Sequence, residues 1–282
     1  MDRQQLLASI RHKKSFLCTG LDSDYDKIPK HLLKASDDPM FAFNKTIIDA
    51  TLPYTVAYKM NFAFYEAMGL YGITALHKTM EYLSHFKSVF TIADAKRGDI
   101  GNTSKKYAQS VFDKASSGFN FDAVTVAPYM GKDSVQPFLD FKDKWTILLA
   151  LTSNKGAQDF QWHGATNDSA PPLFSEVLRT SKDWGTAENT MYVVGATQAT
   201  HLEKVRKIVP DHFLLIPGIG AQGGSLEEVV AYGMNSECGL LVNNSREVIF
   251  ASSGTDFAQA AAQKAKDIQQ RMETLLIGKG II

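Results

Sequence analysis

Eight short apolar runs limit what this chain can become. They are "SFLCTGLD" (15–22), "TVAYKMNF" (55–62), "SVFTIADAK" (88–96), "DAVTVAP" (122–128), "KWTILLALTS" (144–153), "MYVVGA" (191–196), "HFLLIPGI" (212–219) and "GLLVNNS" (239–245). Each is nearly continuous in apolar character rather than alternating, as parallel strands are when helices cover their outer face. Helical patterns such as "YGITALHKTMEYLSHF", "TSKKYAQSVFDKAS" and "SLEEVVAYGM" lie between them. Eight strands alternating with helices in 282 residues predict an α/β fold, a (β/α)8 TIM barrel spanning residues 1–282 as a single domain. A doubly wound open sheet uses the same local pattern and stands as the alternative. No low-complexity linker divides the chain. The longest irregular stretch, "NKGAQDFQWHGATNDSAPP" (154–172) after strand 5, exceeds what a simple connection needs and reads as a functional loop or an interface.

Charge and cysteine usage narrow the function classes. Thirty basic residues balance thirty acidic ones, with no long run of either sign, so nothing predicts attraction to nucleic acid or to a membrane surface. Cys18 and Cys238 are far apart in apolar segments, which suits reduced, buried thiols. The start, "MDRQQLLASIRHKKSF", lacks the apolar core of a signal peptide, and no segment approaches the roughly 20 apolar residues that span a bilayer. A cytoplasmic location is expected.

In a TIM barrel the active site is built at the C-terminal ends of the strands. Polar residues gather there: Asp22 closing the first run, Lys59 and Asn61 late in the second, Asp94 and Lys96 ending the third, Ser153 and Asn154 ending the fifth, Ser245 and Arg246 ending the eighth. Residues two apart in a strand share a face, so Asp94 and Lys96 both face the mouth, with Asp99 on the turn beyond. With Lys59 from the neighbouring strand, the predicted row is Lys59, Asp94, Lys96, Asp99, alternating in sign. At about 4 Å and an effective dielectric near 20, each neighbouring pair is worth about 4 kcal/mol before desolvation, which keeps Lys96 cationic. A salt-bridge cluster without chemistry would use the same residues. A protonated lysine between carboxylates is poorly suited to Schiff-base formation and well suited to delivering a proton.

"GIGAQG" (218–223) matches the G-x-G-x-x-G pattern, but it follows the seventh of eight strands, whereas the dinucleotide fingerprint belongs to the first strand of its unit. After barrel strand 7 such a loop more often binds phosphate through backbone N–H groups, with Arg246 after strand 8 adding a bidentate cation and Gln222 lying in a lid.

The box "DAKRGDIGNT" carries Asp94, Lys96, Asp99, Ile100 and Thr103 in an Asp-x-Lys-x-x-Asp, Ile-x-x-Thr arrangement. In this box, and in "GLD", "YKMN", "LTSN", "PGIGAQGG" and the terminal "SR", the chain resembles the orotidine 5′-phosphate decarboxylases, and the long 154–172 loop resembles their larger bacterial forms. The resemblance implies decarboxylation of orotidine 5′-monophosphate to uridine 5′-monophosphate, the last step of de novo pyrimidine synthesis, with no cofactor and no metal. It implies that Lys96 protonates the carbanion at ring carbon 6, with Asp94 beside the departing carboxylate. Asp22 and Lys59 would hold the ribose hydroxyls, Ser153 the pyrimidine, Pro217 would border the base, and Gln222 and Arg246 would bind phosphate. It further implies a homodimer, Asp99 and Thr103 reaching across the interface. One departure is Ser245 before the arginine, where short members often have glycine.

The residues agree on one point independently. No thiamin, flavin or metal signature is present, and His77, His85 and His163 lack ligand spacing. A cofactor-free decarboxylase must act through fixed charge and position. Two other readings stay open: a related barrel acting on a sugar phosphate with magnesium, opposed by the cation at Lys59, and a barrel that binds a nucleotide or a protein without turnover.

Overall fold

The computed structural model describes residues 1–164, 171–219 and 223–282, with the side chain of Gln198 left aside. Among them the eight apolar runs become eight strands: β1 (Leu17–Gly20), β2 (Ala57–Asn61), β3 (Phe90–Arg97), β4 (Ala123–Val126), β5 (Trp145–Leu151), β6 (Thr190–Val194), β7 (Phe213–Pro217) and β8 (Leu240–Asn244). Each pairs in parallel with the next, and β8 pairs with β1 through Leu17 and Val242. The ring is therefore closed, which removes the doubly wound open sheet and bears out the (β/α)8 barrel.

Strand β2 shows how the alternation sorts side chains. The Tyr58 hydroxyl meets the Thr51 hydroxyl at 2.8 Å and donates to the Ile48 carbonyl at 3.2 Å, so it points outward to the helix Pro39–Thr51. Lys59, one residue on, must point to the barrel interior. That helix starts at Asp38, whose carboxylate accepts from the Phe41 N–H, and it buries Met40, Phe43, Ile47 and Ile48 along one stripe. The N-terminal end of the barrel is closed by aromatic rings. Trp145 contacts Phe90 at 6.0 Å and Phe213 at 6.3 Å between centroids, both edge to face. These are the first residues of β3, β5 and β7, which are not neighbours, so the rings meet inside the barrel as one layer from alternate strands.

Beneath that layer a partly buried arginine ties the lower loops together. Arg206 donates to the carbonyls of Gly233, His212 and Gly239 at 2.6–2.7 Å. Beside it His212 is 9% exposed, and neither ring nitrogen has a hydrogen-bond partner among the described residues. Burial, with the Arg206 and Arg3 cations, pushes its pKa down from 6.5 to about 4. An unfolded chain takes up the proton that the folded one refuses, so this contribution is present above about pH 6.5 and is lost as pH falls toward 4, by at most about 1.4 kcal/mol per unit. Chemical denaturation at pH 7 and pH 4.5 checks this: the wild type is expected to lose more stability between them than His212→Leu, and equal losses refute it.

Both cysteines are free and buried, as the sequence predicts, and burial pushes each thiol up to about 12. Among the described residues no helix is long and apolar enough to cross a membrane.

Candidate active site

The site begins with a fault in the β3 ladder. Ile92 and Ala93 pair with Ala123 and Val124, but the next pair is Arg97 with Val126, so four residues of β3 oppose two of β4. The extra chain is taken up as a bulge, a device that re-aims side chains at barrel rims. Within it Lys96 has φ +46°, the left-handed region that a long side chain rarely enters and that costs on the order of 1 kcal/mol or more. A hydrogen bond holds the strained residue: the Lys96 N–H donates to Thr125 Oγ1 at 2.9 Å. The same hydroxyl donates to Asp94 Oδ1 at 3.0 Å.

From Asp94 a row of charges runs in both directions. Its Oδ2 accepts from Lys59 Nζ at 2.9 Å, and Lys59 Nζ reaches Asp22 Oδ1 at 3.3 Å. Its Oδ1 accepts from Lys96 Nζ at 2.6 Å. The row is thus Asp22, Lys59, Asp94, Lys96, one place earlier along the chain than the sequence predicts. Asp99 is the correction. Its carboxylate accepts from the Ile100 N–H at 2.8 Å, and among the described residues it makes no ion pair with Lys96. The bulge turns Lys96 back toward Asp94, while Asp99 has passed onto the loop after β3.

Ion pairing, acting against burial, decides the state of the inner pair. Lys59 is 4% exposed and Asp94 8%. Burial alone would raise the Asp94 carboxyl, but the ammonium groups of Lys59 and Lys96 overcome it and hold it well below the usual carboxylate range. Burial alone would lower Lys59, but Asp22 and Asp94 raise it above the usual lysine value. Asp94 is therefore ionised and Lys59 charged at neutral pH. The Lys96 side chain is 51% exposed and forms the free end of the row.

These groups form one wall of a cavity of about 470 Å³ at the C-terminal end of the barrel, within the usual size of a small-ligand site. Leu149, Val193, Leu215 and Pro217, from β5, β6 and β7, make the facing apolar wall. Of the residues singled out in the sequence, Asp22, Lys59, Asp94, Lys96, Ser153, Pro217 and Arg246 line this one cavity. Asp99 and Thr103 do not. Thr103 lies exposed in the first turn of the helix Gly101–Phe112, which buries Ser104, Ala108 and Val111 instead. Gln222 falls outside the described residues, as do residues 165–170 of the long loop.

One end of the cavity is built from the segments that follow β7 and β8. Gly218, at φ +97°, opens a loop that closes where the Gly224 N–H donates to the Gly218 carbonyl at 3.1 Å. Arg246 begins the short helix Arg246–Ile249 directly after β8, with its side chain exposed. Its neighbour Glu247 is occupied by Lys264 at 2.7 Å and by Asn244 at 2.8 Å, so among the described residues the guanidinium has no ion-pair partner. Ser245 fits before the arginine because residue 20 is glycine: a Cβ there would lie 1.8 Å from Ser245 Oγ.

Sequence reading missed Thr125, Asn243 and Asn244, all lining the cavity. For Thr125 the only signal was a hydroxyl inside the apolar run "DAVTVAP". Asn154 lines the cavity and also accepts from the Thr152 hydroxyl at 2.6 Å. Trp162 packs edge to face on Phe174 at 5.1 Å and on His201 at 4.5 Å, so it is a packing anchor.

Residues 15–264 match the family model described as Orotidine 5′-phosphate decarboxylase / HUMPS family. An orotidine 5′-phosphate decarboxylase of Phocaeicola vulgatus is 58% identical, over 98% of this chain and 99% of its own. One from Flavobacterium johnsoniae is 57% identical, over 99% of this chain and all of its own. Among solved structures, Leishmania donovani OMP decarboxylase superposes with a TM-score of 0.77 at 33% identity, covering 96% of this chain and all of that one.

Proposed function

The chain belongs to the orotidine 5′-phosphate decarboxylase / HUMPS family and is a carboxy-lyase of pyrimidine synthesis; from that premise we propose that it decarboxylates orotidine 5′-monophosphate without a cofactor, Lys96 supplying the proton. The observation that carries this reading is the Lys96 ammonium at 2.6 Å from an ionised, buried Asp94, at the free end of a charge row that opens on the cavity.

In the proposed pose the phosphate lies at Arg246 and beside Gly218, and Gln222 is the further phosphate ligand that the family resemblance implies. Asp22 and Lys59 meet the ribose hydroxyls. The pyrimidine lies against Pro217 and the apolar wall, with Ser153 at its edge. Its carboxylate then sits beside Asp94. The bond from ring carbon 6 to the carboxyl carbon breaks with its electron pair left on the ring, and neutral carbon dioxide leaves. Lys96 transfers a proton from Nζ to carbon 6 and is reprotonated from solvent. Repulsion between Asp94 and the substrate carboxylate ends as the charge leaves, and the Lys96 cation stabilises the carbanion that replaces it. Both oxygens of Asp94 already accept hydrogen bonds, and Lys59 Nζ sits between Asp22 and Asp94 where a divalent cation would need to bind. That geometry disfavours the magnesium-dependent sugar phosphate reading.

The working unit in this reading is a dimer in the cytoplasm. Ile100 and Met130, 57% and 44% exposed, and Tyr129, 90% exposed, lie on the loops after β3 and β4, which meet where Met130 approaches Gly98. Exposed apolar side chains of this size, beside Asp99 and Thr103, support a face covered by a second copy.

The test is the ultraviolet absorbance of orotidine 5′-monophosphate mixed with the purified protein and excess chelator. Conversion to uridine 5′-monophosphate at an enzymatic rate is expected, and Arg246→Ala is expected to lose about 100-fold or more in kcat/KM through a group that touches no reacting atom. No conversion by folded protein refutes the activity. An unchanged kcat/KM in the variant removes the phosphate assignment.

A further inference from the structure

We propose that Gln161, in the long loop after β5, is a positioning residue that sets the pyrimidine-binding edge of the cavity; the proposal rests on the reading of Ser153 given above.

The need for such a residue follows from where the sheet ends. Strand β4 stops at Val126, opposite Leu148, so among the described residues β5 runs on without a strand partner on that side. Its last ladder contact on the other side is the Gly195 N–H to the Leu151 carbonyl at 2.8 Å. Thr152, Ser153 and Asn154 then leave the sheet, and all three line the cavity. Three residues past the end of a ladder ordinarily have a free choice of direction.

Gln161 removes that choice. Its Oε1 accepts from the Thr152 N–H at 2.7 Å, and its Nε2 donates to Thr152 Oγ1 at 2.8 Å. The Thr152 hydroxyl in turn donates to Asn154 Oδ1 at 2.6 Å. The carboxamide thus stands in for one more residue of a neighbouring strand. On the opposite side Gly195 allows the chain to lie flat against the end of β6: a Cβ there would be 2.8 Å from both the Cβ and the N of Ser153. Ser153 is therefore held between the clamp on Thr152 and the bare backbone of Gly195.

The clamp is itself anchored. The Gln161 carbonyl accepts from the Phe174 N–H at 3.0 Å, at the start of the helix Leu173–Ser181. Trp162, the next residue, packs between Phe174 and His201. Gln161 does not line the cavity, so it acts on a ligand only through residues 152–154. Ser153 and Asn154 place polar groups at the rim of the apolar wall, where the edge of a planar heterocycle would meet them. One part of the long loop thereby acquires a role: it fixes the direction of the base-reading edge.

The test compares two ligands that share a phosphate and a ribose, uridine 5′-monophosphate and ribose 5-phosphate, by calorimetric titration. For Gln161→Ala the affinity for the nucleotide is expected to fall about tenfold or more, with that for ribose 5-phosphate unchanged and the melting temperature near wild type. Gln161→Glu keeps an acceptor for the Thr152 N–H and is expected to recover part of the loss. Equal weakening of both ligands, or no weakening of either, overturns the proposal. Ser153→Ala is the separate control for the underlying reading: it should weaken the nucleotide alone, and an unchanged affinity there refutes the role of Ser153 whatever Gln161→Ala does.

Discussion

Lys96→Ala is expected to lose about 10⁴- to 10⁷-fold in turnover while still binding uridine 5′-monophosphate. The range combines the loss of a general acid, about 10²- to 10⁴-fold, with the loss of an aligned electrostatic donor, about 10²- to 10³-fold. Unfolding is not the expected cause. The Lys96 side chain is half exposed, and in the variant Asp94 keeps its bonds to Lys59 and Thr125. The substitution also leaves Asp94 and the substrate carboxylate facing each other without the cation between them, so the carboxylate-bearing substrate should lose more affinity than the product. Single-turnover absorbance with calorimetry of both ligands measures each part. Turnover within about 100-fold of wild type would show that the proton comes from elsewhere.

Mixing two inactive variants is expected to restore activity. In the proposed dimer a site combines Lys96 of one copy with Asp99 and Thr103 of the other, so Lys96→Ala and Asp99→Ala are each inactive alone. If they exchange subunits at random in equimolar mixture, half the dimers are mixed, and each mixed dimer has one site with both residues intact. Recovery to about a quarter of wild-type activity follows from the symmetry. The structure supplies the reason to test Asp99 in this way: within its own chain it lies outside the cavity, yet it belongs to the same six-residue box as Asp94 and Lys96. No recovery after demonstrated subunit exchange would confine Asp99 to its own subunit.

Most of the fold was legible because a parallel barrel writes its strands as apolar runs, and helix cover on every side leaves little reason for exceptions. The exceptions were therefore informative. Lys59 and Asp94 stood out as charges in segments too apolar to face water, and both proved nearly fully buried in one ion-paired row. What could not be read was anything that depends on two segments at once. The bulge in β3 is a mismatch with β4, visible in neither strand alone, and it decided that the row would begin at Asp22 and end at Lys96. Thr125 matters only because that bulge presents the Lys96 N–H to it. Gln161 acts through a side-chain bond to backbone nine residues earlier, a relation that no helical or strand period marks.

The pairing of charges around the cavity also bears on how a ligand arrives. Asp22, Lys59, Asp94 and Lys96 alternate and sum to zero, Asp24 and Lys27 pair at 3.0 Å, and Lys264 neutralises Glu247. Beyond a Debye length, roughly 8 Å at physiological salt, the fields of such pairs largely cancel. Among the described lining residues, Arg246 is the charge left over. The cavity therefore presents an approaching anion with a single uncompensated pole at one rim, and the ion-paired row stays electrically silent until contact. In the proposed pose a nucleotide would be oriented before it is bound, phosphate foremost, by the rim that carries Arg246 rather than by the row that holds Lys96.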